Sequence, residues 1–161
     1  MYCYYHMVYE SCFSAVEKRV NNTDRELCCL LSGGLDSSLV TSLVNKYYTL
    51  KYPTKKLHTW SIGMKGSEDL QYAKKVADFL KTEHHHIELD KEEFLNAIPE
   101  VIYAIESYDT TTVRASVGNW LISKYIKNNS NAKVVFNGDG SDEGTEDWVD
   151  IPSAKDFYKK K

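Results

Sequence analysis

The residues best suited to chemistry lie in a short turn that follows an apolar run. Residues 27–31 are Leu-Cys-Cys-Leu-Leu, and residues 32–38 continue as Ser-Gly-Gly-Leu-Asp-Ser-Ser. Two glycines let the main chain approach a ligand, three serine hydroxyls donate hydrogen bonds, and amides at a helix start face outward. We therefore expect this turn to bind pyrophosphate. It lacks the lysine of the loop that grips a transferred γ-phosphate, which favours cleavage between the α and β phosphates of a nucleotide.

A second turn has the same setting further along the chain. Residues 134–136 are an apolar run, and residues 137–143 hold two glycines and three carboxylates. Since ligands bind beyond the carboxyl ends of parallel strands, two such turns predict a shared nucleotide site. The alternative is a solvated acidic loop, to which we assign Glu146 and Asp147.

The elements that must position these turns alternate between strands and helices. Apolar runs predict strands at 27–30, 57–62, 87–89 and 134–136, and helical periodicity predicts helices before, between and after them. Pro99 is expected to divide a short helix around Phe94 from the stripe at 101–105, and the last helix is expected to start at Val113. This pattern predicts an α/β fold, a parallel sheet flanked by helices on both faces.

Composition excludes several classes of protein. The chain has 161 residues and a net charge of −3, which gives no broad basic footprint for nucleic acid. No apolar run approaches the roughly 20 residues that cross a bilayer. Four cysteines without metal-ligand spacing indicate reduced thiols, so we expect a cytoplasmic protein. His84, His85 and His86 are not expected to bind one metal, because consecutive strand residues alternate faces.

Four motifs together resemble the synthetase domain of glutamine-hydrolysing asparagine synthetases. They are SGGLDSS at 32–38, SIG at 61–63, TTVRAS at 111–116 and NGDGSDE at 137–143. The similarity runs from about residue 8 to residue 143. It implies the adenine nucleotide alpha-hydrolase-like, Rossmann-like fold with its pyrophosphate-binding loop, which GMP synthetases, NAD synthetases and tRNA-thiolating enzymes also carry.

The resemblance implies that ATP adenylates the side-chain carboxylate of aspartate, that pyrophosphate leaves, and that ammonia attacks the acyl-adenylate. By motif, the nucleotide would be held by Leu31, Ser32, Gly33, Gly34, Asp36, Ser37, Ser38, Ile62, Asn137 and Gly138. Leu31 and Ile62 would flank the adenine, and the six residues from the first turn would hold pyrophosphate. Asn137 stands where the family usually has Ser.

The same resemblance supplies the catalytic and metal-binding candidates. Asp36 and Asp142 correspond to carboxylates associated with Mg²⁺, which neutralises the departing pyrophosphate. Arg114 would clamp a phosphate or a carboxylate through its planar fork, with plain surface exposure as the alternative. Asp139 stands at the place of a family Glu that is associated with ammonia attack, and it is one methylene shorter.

The sequence departs from the family pattern at both ends. The family's amide-hydrolysing domain starts with Cys, whereas Tyr2 follows Met1 here, so we expect ammonia itself or a separate glutaminase subunit to supply nitrogen. The C-terminal helical part that carries a family lysine is also expected to be missing. We divide the chain into an N-terminal helical segment at 1–26, the synthetase domain at 27–143 and a tail at 144–161.

Two other functions stay open at this point. The chain could be a catalytically incomplete nucleotide-binding module that needs a partner chain or a second copy of itself. It could also be a scaffold whose turns bind nothing. Tyr2, Tyr4, Tyr5 and Tyr9 are expected to cover exposed core rather than to do chemistry.

Overall fold

The computed structural model describes residues 2–139, without the side chains of residues 2–5 and 8. Strands and helices alternate after an N-terminal helix. The strands are β1 (Leu27–Leu30), β2 (His58–Met64), β3 (Glu83–Leu89) and β4 (Val134–Phe136). The helices are α1 (Tyr2–Asn22), α2 (Leu35–Lys51), α3 (Glu68–Leu80), α4 (Lys91–Ile105) and α5 (Thr110–Asn129). No helix within residues 2–139 is long and apolar enough to cross a membrane.

The four strands form one parallel sheet in the order β3-β2-β1-β4. The chain builds outwards from β1 to β2 and β3, and it then crosses back to place β4 on the other side of β1. The strand order therefore reverses between β1 and β4, which is where open α/β sheets bind ligands. The two turns singled out above follow these two strands.

Helices cover both faces of the sheet because alternate residues of β1 point to opposite sides. Leu27 and Cys29 pack with Val44 and Tyr48 of α2, together with the end of α1. Cys28 lies on the opposite face in a cluster with Trp60 and residues of α5. The predicted fold class, a parallel sheet between two layers of helices, is confirmed.

Helix α4 differs from the sequence expectation, because it runs unbroken through Pro99. A proline removes one backbone hydrogen bond and strains the preceding turn. Ala97 and Val101, on either side of it, are buried against Val113 and Val117 of α5. Packing along the whole helix thus outweighs the local cost of the proline.

Strand β3 and helix α5 start earlier than predicted. Strand β3 begins at Glu83, and it pairs with β2 along its full length, from His58 with Glu83 to Met64 with Leu89. Residues 83–86 are polar, so the apolar signal of a strand is missing there. Helix α5 begins at Thr110, because Asp109 caps it by accepting a hydrogen bond from the Thr112 amide at 2.8 Å.

Candidate functional site

A cavity of about 470 Å³ lies at the carboxyl ends of β1, β2 and β4. Its walls come from both turns, from the end of β2 and from one side of α5. The lining residues are Leu30, Leu31, Ser32, Gly34, Asp36, Ser37, Trp60, Ser61, Ile62, Ala115, Gly118, Asn119, Ile122, Asn137, Gly138 and Asp139. Residues separated by about a hundred positions therefore form one concave surface.

The two turns touch each other at Gly138. A Cβ atom added to Gly138 would lie 2.6 Å from the backbone nitrogen of Ser37 and 2.9 Å from the carbonyl carbon of Asp36. Real Cβ atoms do not approach backbone that closely, so only glycine fits between the second turn and the start of α2. The contact holds the second turn against the first.

Serine hydroxyls hold the first turn in shape. The Oγ atoms of Ser32 and Ser37 are 2.8 Å apart, and the Ser37 hydroxyl donates to the Gly34 carbonyl at 3.2 Å. The Gly34 amide donates to Ser32 Oγ at 3.3 Å. The hydroxyls of Ser32 and Ser37 thus support the turn in addition to facing the cavity.

Gly33 has a structural role that differs from the expectation of a close approach to ligand. Its φ is +87°, and an added Cβ would lie 2.5 Å from the Ala73 nitrogen and 2.6 Å from Tyr72 Cβ. Gly33 is also not among the residues that line the cavity. It allows the first turn to pack against α3.

Helix α2 begins at the edge of the cavity. Its N-cap is Gly34, and no side-chain hydrogen bond caps the helix. A helix start of this kind attracts anions through its amides and its dipole. Asp36 lies in the first turn of α2, is exposed and lines the same cavity.

The charged groups of the cavity are acidic. Asp36 and Asp139 are the ionisable side chains among the described residues that line it. Asp139 Oδ2 accepts hydrogen bonds from Asn137 Nδ2 at 3.0 Å and from Asn119 Nδ2 at 3.5 Å. Two amides therefore orient this carboxylate at the rim.

Helix α5 contributes residues that the sequence analysis did not assign. Ala115, Gly118, Asn119 and Ile122 recur at intervals of three and four residues, and together they form the helix side of the cavity. The sequence signal for this side of the cavity was a helical stripe of small and amide residues, which is a less specific indication of a site than a motif is. Asn119 is the member with a polar group to offer.

Ser61 is the other unassigned polar residue, although the SIG motif contains it. Its Oγ lies 3.1 Å from Nε2 of His84, and Nδ1 of the same ring lies 3.0 Å from Thr59 Oγ1. Burial, reinforced by the neighbouring histidines, lowers the pKa of His84 to about 4. A neutral imidazole therefore fixes Ser61 from behind the cavity wall.

The structure brings nine of the predicted site residues to the cavity: Leu31, Ser32, Gly34, Asp36, Ser37, Ile62, Asn137, Gly138 and Asp139. Leu31 is only 1% exposed and packs against Ala73 and Ala77, so its side chain offers little surface to a base. Ser38 is half-buried next to the cavity, and its Oγ has no hydrogen-bond partner among the described residues. Asp142 lies outside the described residues.

Arg114 is not brought to the cavity. It lies on α5 beside Ala115, but it lines a separate apolar groove with residues that include Leu95, Ile102 and Tyr108. Arg114 and Asn119 are five residues apart on α5, which places their side chains about 140° apart around the helix axis. Its role as a phosphate or carboxylate clamp stays a prediction.

Comparison with known proteins gives one consistent family. The sequence profile of the asparagine synthase family matches residues 8–145. Glutamine-hydrolysing asparagine synthetases from Mesocricetus auratus and from Homo sapiens are each 50% identical over 139 residues, which is 84% of this chain and 24% of each relative. The chain thus spans about a quarter of the length of these curated relatives.

Among solved structures, an NAD⁺ synthetase from Burkholderia pseudomallei superposes with a TM-score of 0.52 at 17% sequence identity. The match covers 84% of this chain and 63% of that chain. At this level of identity the likeness concerns the fold, in which a parallel sheet carries helices on both faces.

Proposed function

The chain belongs to the asparagine synthase family, and we propose from this premise that its cavity binds ATP and directs an ATP-dependent amide synthesis. The carboxylate of an aspartate side chain would attack the α-phosphorus of ATP, and pyrophosphate would leave. Ammonia would then attack the acyl carbon, and AMP would leave with formation of asparagine. Ammonia would come from solution or from a separate glutaminase.

The contact between the two turns at Gly138 is the observation that carries this proposal. It joins the serine-rich turn, the amides of the first turn of α2 and Asn137 at one cavity at the strand ends. A cavity of about 470 Å³ lies within the range of ~300–1,000 Å³ that is usual for small-molecule sites. Helix amides and hydroxyls suit pyrophosphate, because both donate hydrogen bonds to anionic oxygens.

The adenine would lie on the side of the cavity formed by Ile62. This side chain is half-buried, lines the cavity and packs on the cluster around Trp60 and Ile122. The residue next to β1, Leu31, would contribute its main chain rather than its buried side chain. An apolar wall beside polar turns matches the two halves of a nucleotide.

The acidic lining supports a requirement for magnesium. The carboxylates of Asp36 and Asp139 would repel the anionic phosphates unless a cation lay between the carboxylates and the phosphates. Carboxylate oxygens are ligands that Mg²⁺ accepts, so the residues fit the ion. We propose that Asp36 and Asp142 hold it, and when bound it neutralises charge on the departing pyrophosphate.

Asp139 and Asn119 would act on the acyl side of the reaction. The Asp139 carboxylate is oriented by Asn119 and Asn137, which keeps it at the rim where ammonia would approach. Asn119 faces the cavity, whereas Arg114 lines a different groove, so we rank Asn119 ahead of Arg114 for contact with a substrate. Both carboxylate and amide can accept hydrogen bonds from ammonia.

Thermal unfolding tests nucleotide binding. A saturating ligand raises the unfolding temperature, by about 2–4 °C for each kcal/mol of binding free energy in a chain of this size. We expect such a rise with ATP and Mg²⁺, and we expect Asp36→Ala to abolish its Mg²⁺-dependent part. Asp69→Ala is the matched control, because Asp69 occupies the first turn of α3 instead of α2. Equal shifts in the two variants would refute the assignment of Asp36.

Aspartate-dependent release of pyrophosphate tests the reaction itself. The proposal predicts release with ATP, Mg²⁺, aspartate and ammonia. In Asp139→Asn it predicts that pyrophosphate is still released in the first turnover but that asparagine is not formed, because Asp139 is assigned to the later attack by ammonia. Binding without release would instead favour an incomplete module that needs a partner chain. If ATP, AMP and pyrophosphate all leave the unfolding temperature unchanged, the chain shares the fold of the family but does not bind its nucleotide.

A further inference from the structure

A second cluster of potential ligands lies at the amino ends of β2 and β3, away from the two turns. His58 and Glu83 are the first residues of these strands and are register partners in the parallel pair. His85 follows Glu83 by two residues and therefore points to the same face of the sheet. Three metal-ligating side chains thus converge from two strands, with their ligand atoms within 4.8 Å of one another.

The distances among the three ligand atoms fit a metal ion. His58 Nδ1 is 3.0 Å from His85 Nε2 and 3.7 Å from Glu83 Oε1, and His85 Nε2 is 4.0 Å from that same oxygen. Zinc binds imidazole nitrogen at ~2.0–2.1 Å in tetrahedral sites, which puts neighbouring ligand atoms about 3.4 Å apart. The three separations observed here average close to that value.

Neighbouring groups hold the two imidazoles in these orientations. The His85 ring stacks on Trp60 with centroids 4.0 Å apart, and the two histidine rings are stacked at 5.3 Å. On the far side of His58, Nε2 lies 4.0 Å from the Glu26 carboxylate. That distance is longer than a hydrogen bond, so Glu26 adds a negative charge beside His58, and the ring contacts hold the orientation of His85.

The cluster is open enough for an ion to enter. The side chains of His58 and His85 are 27% and 32% exposed, and that of Glu83 is 54% exposed. Two imidazoles and one carboxylate leave a fourth position for water, as in open zinc sites. Nitrogen ligands favour Zn²⁺ and similar transition metals over Mg²⁺.

We propose that His58, Glu83 and His85 form a binding site for a divalent transition metal of the Zn²⁺ class, separate from the nucleotide cavity. The competing explanation is a hydrogen bond between two histidines beside a carboxylate. The two explanations predict different affinities for Zn²⁺. If the cluster is only a hydrogen-bonded pair of histidines, it should bind Zn²⁺ no more tightly than another surface histidine does. His86 and Glu88 supply the comparison, since this pair is 3.0 Å apart on the other face of β3.

Calorimetric titration with Zn²⁺ tests the proposal on the full chain without nucleotide. Thiols also bind Zn²⁺, so the parent chain and every variant carry Cys12→Ser, which removes the exposed cysteine of the described residues, and also Cys3→Ser. We expect one site, and we expect His58→Gln and His85→Gln each to weaken it at least tenfold. His86→Gln should leave the affinity unchanged. Unfolding temperatures measured without metal identify any variant that does not fold, and Glu83→Gln then serves as the second ligand variant.

The outcomes separate the two explanations. Weakening by the ligand variants with an unchanged His86→Gln protein supports the site. Equal affinities in the parent and in His85→Gln, or equal weakening by His86→Gln, would overturn it. Because no nucleotide is added, either result leaves the function proposed for the cavity standing on its own test.

Discussion

At the scale of single residues, Gly138 decides whether the two turns can share a cavity. The backbone of α2 leaves no room for a Cβ atom, since Ser37 N would lie 2.6 Å from it. We expect Gly138→Ala to push the second turn away from α2 and to lower the free energy of unfolding by about 1–3 kcal/mol, as overpacking does. Urea unfolding measures this loss, and the thermal shift with ATP should fall at the same time.

Gly118→Ala is the matched control at this scale. Gly118 also lines the cavity, but a Cβ atom added there would meet nothing within 4 Å. Alanine in the middle of α5 should raise stability, by roughly 0.5–1 kcal/mol, because it restricts the unfolded backbone and favours helix. A Gly138→Ala protein as stable as the parent would show that the two turns do not depend on this contact.

The residue types in the two turns made much of the cavity predictable. Glycines and hydroxyls after a strand are local signals, and the resemblance to the family added the individual residues, nine of which line one cavity. Arg114 was assigned to the site and Asn119 was not considered, because which face of α5 meets the cavity depends on how that helix packs against the sheet. The apolar stripe also suggested a helix start three residues too late, because the cap at Asp109 was not used.

At the scale of elements, α4 shows how local sequence starts a helix and how tertiary packing then extends it. Asp90 Oδ1 accepts from the Glu93 amide at 2.8 Å, and Glu93 Oε2 accepts from the Asp90 amide at 2.9 Å. This capping box starts the helix, and burial of Ala97 and Val101 carries it past Pro99. The proline and the helix that follows were both predicted from the sequence, whereas the packing of the two helices against each other was not.

The capping box gives a prediction for the stability of α4. Asp90→Ala should lower the free energy of unfolding by about 1 kcal/mol, because an amide in the first turn loses its acceptor. Glu92→Ala is the control, since it removes a first-turn acid outside the capping box. Its effect should be a few tenths of a kcal/mol, from the helix dipole. Equal losses in urea unfolding would assign the effect to charge instead of to the cap.

At the scale of the whole molecule, β1 lies between the two layers of helices and next to the point where the strand order reverses. Cys28 and Cys29 are fully buried on opposite faces of it. The sequence predicted them as small apolar groups in a buried strand. Burial raises the pKa of Cys28 to about 12 and also raises that of Cys29, so both stay protonated at neutral pH. Both are therefore protected from reagents that need a thiolate.

Thiol labelling should consequently report on opening of the entire domain. At pH 8 we expect Cys12 to react in the folded protein because it is exposed, and we expect Cys28 and Cys29 to react only through unfolded molecules. The free energy obtained from their labelling rates should equal that from urea unfolding, with peptide mapping to separate the sites. Saturating ATP and Mg²⁺ should raise both values by the same amount, because ligand binds only the folded chain. Labelling of Cys28 at a clearly lower free energy would mean that the sheet opens beside β1 while the helices stay folded.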